Sequence, residues 1–412
     1  MSRDTSGRAT LEREERPLAG MLVVDFSQFL AGPVAALRLA DLGARVIKIE
    51  RPGVGDIGRA LAFGGIVLDG DTLSFQIMNR GKESLAADLK DSADLAAVRA
   101  LVARADVLVQ NFRPGVMERI GLDYESVRGL NPRLVYGSVS GYGPDGPWRN
   151  LPGQDLLAQS ISGLPWLNGS RDHGPVPVGL SVADLLASCH LATGITALLV
   201  RRERTGRGGL VETSLMEGML DLQFELLSAH LNDPTLTVQR GSDFGANAFL
   251  PAPYGVYPTS DGYLAIAMSP VPRIGELIGL AELAEFRDPA SWWTEQGRIE
   301  QLLADHLSQR PTRHWLDILE PADVWCAPVL TLPELVGHEG FEALGMTQEV
   351  RRGLPGSAPA SLETTRSPLR IDGQLLRDSR GAPRLGEHTD AIEHEFGLRM
   401  ASGTEPDTGA LP

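Results

Sequence analysis

The feature that most constrains this chain is a regular alternation of short β-branched runs with helical patterns through its first half. An apolar run at 21–26 precedes a helical pattern over 33–42 that Gly43 ends, and a second run follows at 44–50. Strands that alternate with single helices form parallel βαβ units, with helices on both faces of one sheet. An α/β fold with a Rossmann-like large domain is therefore predicted. Further strands are predicted at 84–89, 106–112, 133–140 and from Leu210.

A chain of 412 residues is too long for one compact core, and the character of this one changes near Asp233. Residues 254–268 have the pattern of a β-hairpin that turns at Ser260-Asp261-Gly262, which indicates a smaller α+β domain. The expected segments are a disordered lead (1–17), the first part of the large Rossmann-like domain (18–225), the small α+β domain (228–330), a return to the large domain (331–398) and a disordered tail (399–412).

The charge balance excludes one class of partner. Acidic residues number 53 against 38 basic ones, a net charge of −15, whereas a general nucleic-acid binder needs a basic face. The first 150 residues are neutral, with 19 charges of each sign, and they contain the only lysines, Lys48, Lys82 and Lys90. The acidic excess lies in the rest of the chain, so net charge does not argue against a small phosphorylated ligand bound by the first part.

Cysteine content and the amino-terminal sequence favour a cytoplasmic protein. Cys189 and Cys326 are too few and too far apart in sequence for a disulfide framework. The charged amino terminus lacks the apolar core of a secretory signal, and no apolar run approaches the ~18 residues that span a bilayer. The eight histidines show no ligand spacing. We therefore expect no membrane partner, no nucleic-acid partner and no metal.

Two familiar motif strings fail on their context. Gly141, Gly143 and Gly146 fit G-x-G-x-x-G after a strand, but Pro147 and Pro152 prevent the helix whose amino terminus should hold a pyrophosphate. The string GSVSG at 137–141 places a valine where the serine of a hydrolase elbow is required. Neither a dinucleotide site nor a serine nucleophile is predicted.

Asp184 is the most informative residue in the sequence, and two interpretations of it remain open. Ser181 stands three positions before it at the start of the strongest helical pattern, 180–200, which is the spacing of a capping box. The other interpretation is chemical. A carboxylate in the first turn feels the positive end of the helix dipole, is expected to stay ionised, and lies beside backbone N–H donors as an available nucleophile.

Several phrases occur together in a recognisable order. They are PLAGMLVVDFSQFLAGPVAALRLADLGARVIKIERPGVGD at the start, NRGKESLAADLK at 79–90, ADVLVQNFRPGVMERIGLDYESVRGLNPRLVYGSVSGYGPDGP at 105–147, TGRGGLVETSLMEGML at 205–220, YGVYPTSDGYLAIA at 254–267 and PRLGEHTDAI at 383–392. On these phrases the chain resembles the family III CoA transferases over nearly all of residues 18–398. That group includes the formyl-CoA and carnitine CoA-transferases and also the α-methylacyl-CoA racemases.

The resemblance implies an activity and a set of site residues. In the family, the aspartate that matches Asp184 is a nucleophile, and CoA moves from an acyl-CoA to a free carboxylic acid through mixed-anhydride and aspartyl-CoA thioester intermediates. CoA esters are then substrates, and no permanently bound cofactor is implied. The family's subunits are rings interlocked in a homodimer, which the resemblance extends to this chain. The positions that match the family's CoA contacts are Arg51, Lys90, Asn111, Phe112 and Arg119.

Departures from the family patterns leave alternatives open. In the racemase motif G-H-D this chain has Gly153-Gln154-Asp155, and Glu125 stands where the racemase has its catalytic histidine, so a base suited to α-proton abstraction is missing. The Q-A-G-P glutamine of the formyl-CoA enzyme is replaced by Leu30, and two interpretations of Gln28, two positions earlier, stay open: a substitute for that glutamine, or ordinary loop packing. An acyl-CoA racemase or isomerase, and a non-catalytic acyl-CoA-binding protein, are the other candidates.

Overall fold

The computed structural model describes residues 9–61, 63–170, 173–235, 243–247, 249–353 and 360–401. The chain divides into two compact units. A large unit contains Met1–Ala158, Ser181–Leu222 and Glu342–Pro412, and a second unit contains Gln159–Leu180 and Gln223–Phe341. The segment 159–180 was expected in the large domain. It groups with the second unit, where the Gln223 side chain donates to the carbonyl of Ser162 at 3.2 Å.

The secondary structure follows the predicted alternation and adds short elements in the loops. The strands are β1 (Leu22–Asp25), β2 (Arg45–Glu50), β3 (Val67–Leu68), β4 (Asp71–Thr72), β5 (Glu83–Ala86), β6 (Val107–Gln110), β7 (Val135–Ser140), β8 (Gly209–Ser214), β9 (Gly255–Pro258), β10 (Tyr263–Ile266), β11 (Cys326–Pro328), β12 (Thr347–Arg352), β13 (Ala360–Thr365), β14 (Arg370–Ile371) and β15 (Gln374–Leu375). The helices are α1 (Ala31–Asp41), α2 (Leu73–Asn79), α3 (Ser92–Val102), α4 (Val116–Arg119), α5 (Tyr124–Arg128), α6 (Asp155–Ser162), α7 (Leu164–Leu167), α8 (Val182–Thr205), α9 (Leu215–Leu222), α10 (Phe224–Asn232), α11 (Val271–Ile278), α12 (Ser291–Thr294), α13 (Gln296–Leu307), α14 (Thr312–Leu319), α15 (Leu332–Val336), α16 (Glu339–Leu344) and α17 (Thr389–Phe396).

One parallel sheet of six strands organises the large unit. Its strand order is β5-β2-β1-β6-β7-β8, and every neighbouring pair is parallel. Counted in chain order, this is 3-2-1-4-5-6, the order of doubly wound nucleotide-binding folds. The strand order reverses between β1 and β6, and ligands of such sheets bind in the crevice beyond the carboxyl ends of the strands at that point. The predicted α/β class with a Rossmann-like parallel sheet is confirmed in this unit.

Burial explains why these runs form the central strands. All four residues of β1 and all four of β6 are buried, as expected for a parallel sheet covered on both faces. Helix α3 covers one face with Val98, Leu101 and Val102, three of the four positions that the helical spacing predicted, and the fourth, Leu95, is partly buried. Helix α1 ends before Gly43, whose φ of +108° and close approach to the Arg16 side chain require a glycine.

The second unit contains the predicted β-hairpin. Strands β9 and β10 pair antiparallel, and the Thr259 N–H donates to the carbonyl of Gly262 at 2.9 Å across the turn. Strand β11 adds to β10 on the other side, and helices α11, α13 and α14 bury their apolar faces on this three-stranded sheet. The long helix expected after Leu210 is instead two helices, α9 and α10, with a break at Gln223.

The lead segment differs from its prediction over 9–17. Thr10 bridges to Leu375, Leu11 is buried, and the Arg16 guanidinium donates to the carbonyl of Leu11 at 3.1 Å. These contacts fix a segment that was expected to be disordered, while residues 1–8 lie outside the described part. At the other terminus, the Ala401 N–H donates to the Asp94 carboxylate at 2.8 Å, and residues 402–412 lie outside the described part.

Helix α8 has the length and hydropathy of a membrane span, with a mean hydropathy of 1.6, although the sequence had been expected to hold no such run. The core helix of a soluble protein passes the same test. Here α8 packs against α1, α9, β7 and β8 and buries Ala183, Ala187 and Leu191 inside the large unit. In all, 39% of the apolar window of α8 is buried inside the protein.

Two of the three lysines are buried in ion pairs beside the sheet. Lys82 Nζ lies 2.8 Å from Asp25 Oδ2, and Lys48 Nζ lies 2.9 Å from Asp56 Oδ2, with all four side chains almost fully buried. Lys82 also donates to the Pro33 carbonyl and to the Asn79 side chain, each at 2.9 Å. Burial lowers the pKa of Lys82 to about 8, which leaves its ammonium mostly protonated at neutral pH.

Removal of one member of a buried pair leaves an uncompensated charge, so Lys82→Met should destabilise the protein by roughly 3–5 kcal/mol. The measurement is the free energy of unfolding from urea titration. The double variant Asp25→Asn/Lys82→Met removes both charges and is expected to recover part of the loss. Equal stability of the wild type and Lys82→Met would contradict the assignment.

Candidate active site

A cavity of about 630 Å³ opens at the point where the strand order reverses. It lies beyond the carboxyl ends of β1, β6 and β7, and all of its lining residues belong to the large unit. Five sequence-predicted site residues line it, namely Leu30, Asn111, Phe112, Asp155 and Asp184. Its size is typical of small-ligand sites, which measure ~300–1,000 Å³.

Asp184 lies in the first turn of α8, and the capping box proposed for it is not formed. The Ser181 side chain makes no capping hydrogen bond, and only its carbonyl accepts from the N–H of Leu185, at 3.1 Å. The backbone N–H of Ala31, the first residue of α1, instead lies close enough to the Asp184 carboxylate to act on its pKa. Two helix amino termini therefore meet at this carboxylate, and it faces the cavity rather than its own helix.

Asp155 is the partner of Asp184. It begins α6, and its Oδ2 accepts from the backbone N–H of Asp184 at 3.1 Å. The approach of the two segments depends on Gly141 and Gly153, because a Cβ on either would lie 2.6 Å from the Cα of the other. Side chains at these positions would push the chain before Asp155 away from the end of β7.

Burial and the neighbouring carboxylate of Asp155 change the protonation of Asp184. Burial, with a further contribution from the charge of Asp155, raises the pKa of Asp184 to about 7, against a smaller opposing effect of the Ala31 N–H. Burial and the charge of Asp155 thus oppose the helix dipole, on which the expectation of an ionised Asp184 rested, and the pKa of about 7 places the titration of Asp184 near neutral pH.

The loop between β1 and α1 is held from several sides. Asn111 accepts from the backbone N–H of Gln28 and donates to its carbonyl, each at 2.8 Å. The carboxylate of Asp56 accepts from the N–H of Phe29, which has a φ of +64°. A bulky residue adopts this left-handed conformation rarely, so the surrounding contacts fix it. The loop delivers the N–H of Ala31 to Asp184.

The sequence-predicted CoA residues divide into two groups. Asn111 and Phe112 line the cavity, but both polar groups of the Asn111 amide are already bonded to Gln28. The side chains of Arg51, Lys90 and Arg119 lie outside the lining of the cavity and are exposed. None of the three forms an ion pair with a described residue. Arg51 directly follows β2, Lys90 lies in the turn after β5, and Arg119 is the last residue of α4, the helix that follows β6.

Two of the three lysines are not available to a phosphorylated ligand. Lys48 and Lys82 were counted among the cations of the neutral first part, where a phosphorylated ligand was expected. Both are buried in ion pairs and are inaccessible to any ligand. Lys90 is the exposed lysine.

Sequence reasoning missed two arginines of the cavity. Arg113 and Arg149 both line it, and both also line a second cavity of about 470 Å³ beyond β6, β7 and β8. Arg113 follows Asn111 and Phe112 in the phrase QNFRPG, so its neighbours provided a signal. Arg149 lies in a proline- and glycine-rich loop. In the sequence, that loop served only to exclude a phosphate-binding helix, so its arginine was not considered.

The residues that would support racemisation do not meet at Asp184. Glu125, which replaces the racemase histidine, lies on α5, pairs with Arg128 at 2.8 Å and lines only the second cavity. Gln154 lines the cavity of Asp184, but an amide does not abstract a proton at neutral pH. The arrangement supports a carboxylate nucleophile better than a two-base proton exchange.

Comparison with known proteins shows the family of this chain. A model of the family described as CoA-transferase family III matches residues 18–389. The chain is 35% identical over 399 residues to an acetyl-CoA:oxalate CoA-transferase of Acetobacter aceti, which covers 94% of this chain and 97% of that protein. It is 32% identical over 390 residues to a succinate–glutarate CoA-transferase of Agrobacterium fabrum, with 92% and 96% covered.

Solved structures show the same likeness across the whole fold. A CaiB/BaiF family protein from Brucella suis matches with a TM-score of 0.80 and 31% identity, over 92% of this chain and 99% of that one. A hypothetical protein from Mycobacterium tuberculosis matches with a TM-score of 0.77 and 28% identity, over 91% and 99%.

The carboxylate pair predicts a pH-dependent reactivity of Asp184. A carbodiimide reacts with the protonated carboxyl, so labelling of Asp184, mapped by mass spectrometry, should fall as pH rises, with a midpoint near pH 7. Asp155→Asn removes the neighbouring charge and should shift the midpoint to lower pH, whereas burial keeps it above the ordinary value of 3.8.

Exposed Glu125 serves as the internal reference for reagent decay. A midpoint near pH 4 in the wild type, or no shift in Asp155→Asn, would contradict this account of the pair.

Proposed function

The chain belongs to CoA-transferase family III, and we propose that it moves CoA from an acyl-CoA thioester to a free carboxylic acid with Asp184 as the nucleophile. The observation that carries this proposal is the position of the Asp184 carboxylate. It faces a cavity at the reversal of the strand order, it is not used as a helix cap, and a backbone N–H donor lies beside it. Relatives named for oxalate and glutarate support a carboxylic acid as the acceptor.

The first half of the reaction transfers CoA to the enzyme. The ionised Asp184 carboxylate attacks the thioester carbonyl of the donor, the C–S bond breaks, and a mixed anhydride forms with release of CoA thiolate. The thiolate then attacks the aspartyl carbonyl of the anhydride. The donor acid leaves as its carboxylate, and CoA is held as an aspartyl thioester.

The second half of the reaction repeats these steps in reverse order with the acceptor acid. The acceptor carboxylate attacks the aspartyl thioester, thiolate leaves, and a second mixed anhydride forms. The thiolate attacks the acceptor's carbonyl, which yields the new acyl-CoA and restores the Asp184 carboxylate. Thioesters and anhydrides have comparable reactivity, so each step is reversible without an external energy source, and we propose no resident cofactor.

The charges near Asp184 affect its reactivity as a nucleophile in these steps. A carboxylate whose pKa is raised is a stronger nucleophile once ionised, but only the ionised fraction attacks. The N–H of Ala31 can donate to an oxygen of Asp184 and so orient the carboxylate. Turnover is therefore expected to rise with pH through the pKa of Asp184, about 7.

The exposed cations in the segments that follow β2, β5 and β6 suit the nucleotide end of CoA. Arg51, Lys90 and Arg119 lack ion-pair partners among the described residues, and guanidinium or ammonium groups bind phosphate oxygens well. Phe112 is half-buried at the end of β6 and can stack on the adenine. The amide of Asn111 holds Gln28 in place, so we assign it to positioning the loop. The homodimer, the interlocked rings and the cytoplasmic location stay predictions.

Trapping tests the covalent step. Incubation of the protein with acetyl-CoA or succinyl-CoA and then hydroxylamine should convert Asp184 to a hydroxamate, detected by mass spectrometry of the peptide. Asp184→Asn should lose turnover by at least roughly 1,000-fold, as expected when a nucleophile is removed. Its fold, followed by circular dichroism, should be unchanged.

Full turnover by Asp184→Asn would refute the mechanism. Incorporation of deuterium at the α-carbon without exchange of CoA would instead favour the acyl-CoA racemase or isomerase. Binding of acyl-CoA with neither reaction would favour a non-catalytic binding protein.

A phosphate contact by Arg119 predicts a specific kinetic change. Arg119→Ala should raise the Michaelis constant for every acyl-CoA roughly 3- to 10-fold, the size expected for a partly solvated charged contact, with kcat little changed. Arg204→Ala, an exposed arginine in the last turn of α8, is the matched control. Unchanged Michaelis constants in Arg119→Ala would count against the contact.

A further inference from the structure

We propose that the acid substrate carries a second carboxylate and that Arg149 binds it. This inference rests on the proposed CoA transfer at Asp184 and extends it to the class of acid. It starts from the composition of the cavity, which has two carboxylates, two guanidinium groups and a largely apolar wall. Its apolar members include Phe29, Leu30, Ile57, Leu61, Met78 and Leu151.

Arg149 is available to bind an anion. Its side chain is exposed and forms no ion pair or side-chain hydrogen bond with a described residue, although the second cavity that it lines contains several carboxylates, including Glu212 and Glu217. The charge of Asp155, together with that of Asp184 whenever Asp184 is ionised, disfavours a dianionic acid in the cavity unless a cation offsets it. Arg149 lines the same cavity and can supply that positive charge.

The loop that carries Arg149 is fixed relative to the two carboxylates. The N–H of Arg149 donates to the carbonyl of Gly146 at 3.3 Å, and the Tyr142 hydroxyl donates to the carbonyl of Pro152 at 3.2 Å. The ring of Trp148 lies 6.4 Å from that of Tyr142. The close approach of Gly141 and Gly153 ties the end of the loop to β7 just before Asp155.

The two arginines of the cavity have different neighbours. Arg113 directly follows Phe112 at the end of β6, where we place part of CoA. Arg149 lies on the chain that leads to Asp155, and Arg51, Lys90 and Arg119 are separate candidates for the phosphates. This division leaves Arg149 for the acid.

The chemistry favours the second carboxylate over the reacting one as the partner of Arg149. The reacting carboxylate loses its charge when it becomes an anhydride and then a thioester, so a guanidinium bound to it would stabilise mainly the starting state. A second carboxylate keeps its charge through every step. Its ion pair with Arg149 would therefore hold the acid in place from attack to release.

The test compares acids that differ only in the distal group. With acetyl-CoA or succinyl-CoA as donor, glutarate should be used more efficiently than its neutral analogue glutaramate and than valerate, by roughly 10- to 100-fold in kcat/KM, the range of a charged hydrogen-bonded contact. Arg149→Met should remove most of this preference while use of valerate changes little, and Arg149→Lys should restore part of it. Arg204→Met is the control and should keep the wild-type preference.

A binding measurement separates this inference from the proposed transfer. Calorimetric titration of Asp184→Asn with glutarate and with valerate measures acid binding without turnover, and Arg149→Met in that background should weaken glutarate binding alone. Equal use and equal binding of glutarate and valerate would overturn the inference while CoA transfer stands. An Arg149→Met variant with higher Michaelis constants for all acyl-CoAs and an unchanged acid preference would also overturn it, since Arg149 would then bind a phosphate of CoA. Selective glutarate binding without any trapped adduct would refute the transfer alone.

Discussion

A set of buried ion pairs at the carboxyl end of β1 and β2 is the constraint on which the candidate site depends. Lys82 pairs with Asp25 and Lys48 pairs with Asp56, while Asp56 also accepts from the N–H of Phe29. Charges buried in this way are costly unless each keeps its partner, so the geometry allows little variation. The loop that presents Ala31 to Asp184 is therefore rigid. In the sequence, Lys48 and Lys82 suggested cations that could bind a ligand. In the structure they are buried in ion pairs that hold the loop in place.

The rigid support makes a close pair of carboxylates possible. Asp155 and Asp184 come from the amino termini of α6 and α8, and the glycine contact at Gly141 and Gly153 lets the two segments approach. Their proximity and burial raise the pKa of Asp184 to about 7, where a proposed nucleophile changes its charge within the physiological range. Two arginines line the same cavity, so an anionic reactant bound there would lie near both the proposed nucleophile, Asp184, and positive charge.

The sequence predicted the elements of the large unit well because their signals are local. Apolar runs marked β1, β2 and β6, and helical spacing marked α3 and α8, with boundaries that differ by a few residues. Segment 159–180 was placed in the wrong unit because its neighbours in space are distant in sequence, and the lead at 9–17 was expected to be disordered because its contacts with Leu375 are equally remote. Arg149 was overlooked for the same reason, since its loop has no pattern of its own.

By itself, the sequence determined the parallel α/β class, the hairpin of the second unit, and Asp184 at a helix start within the phrases of a family. These follow from periodicity, turn residues and ordered motifs, all of which are properties of short stretches of chain. The tertiary structure alone decided that Ser181 does not cap α8, that Lys48 and Lys82 are buried, and that Asp155 and Arg149 share a cavity with Asp184. Burial, charge pairing and protonation depend on residues brought together from distant parts of the chain, and no local pattern records them.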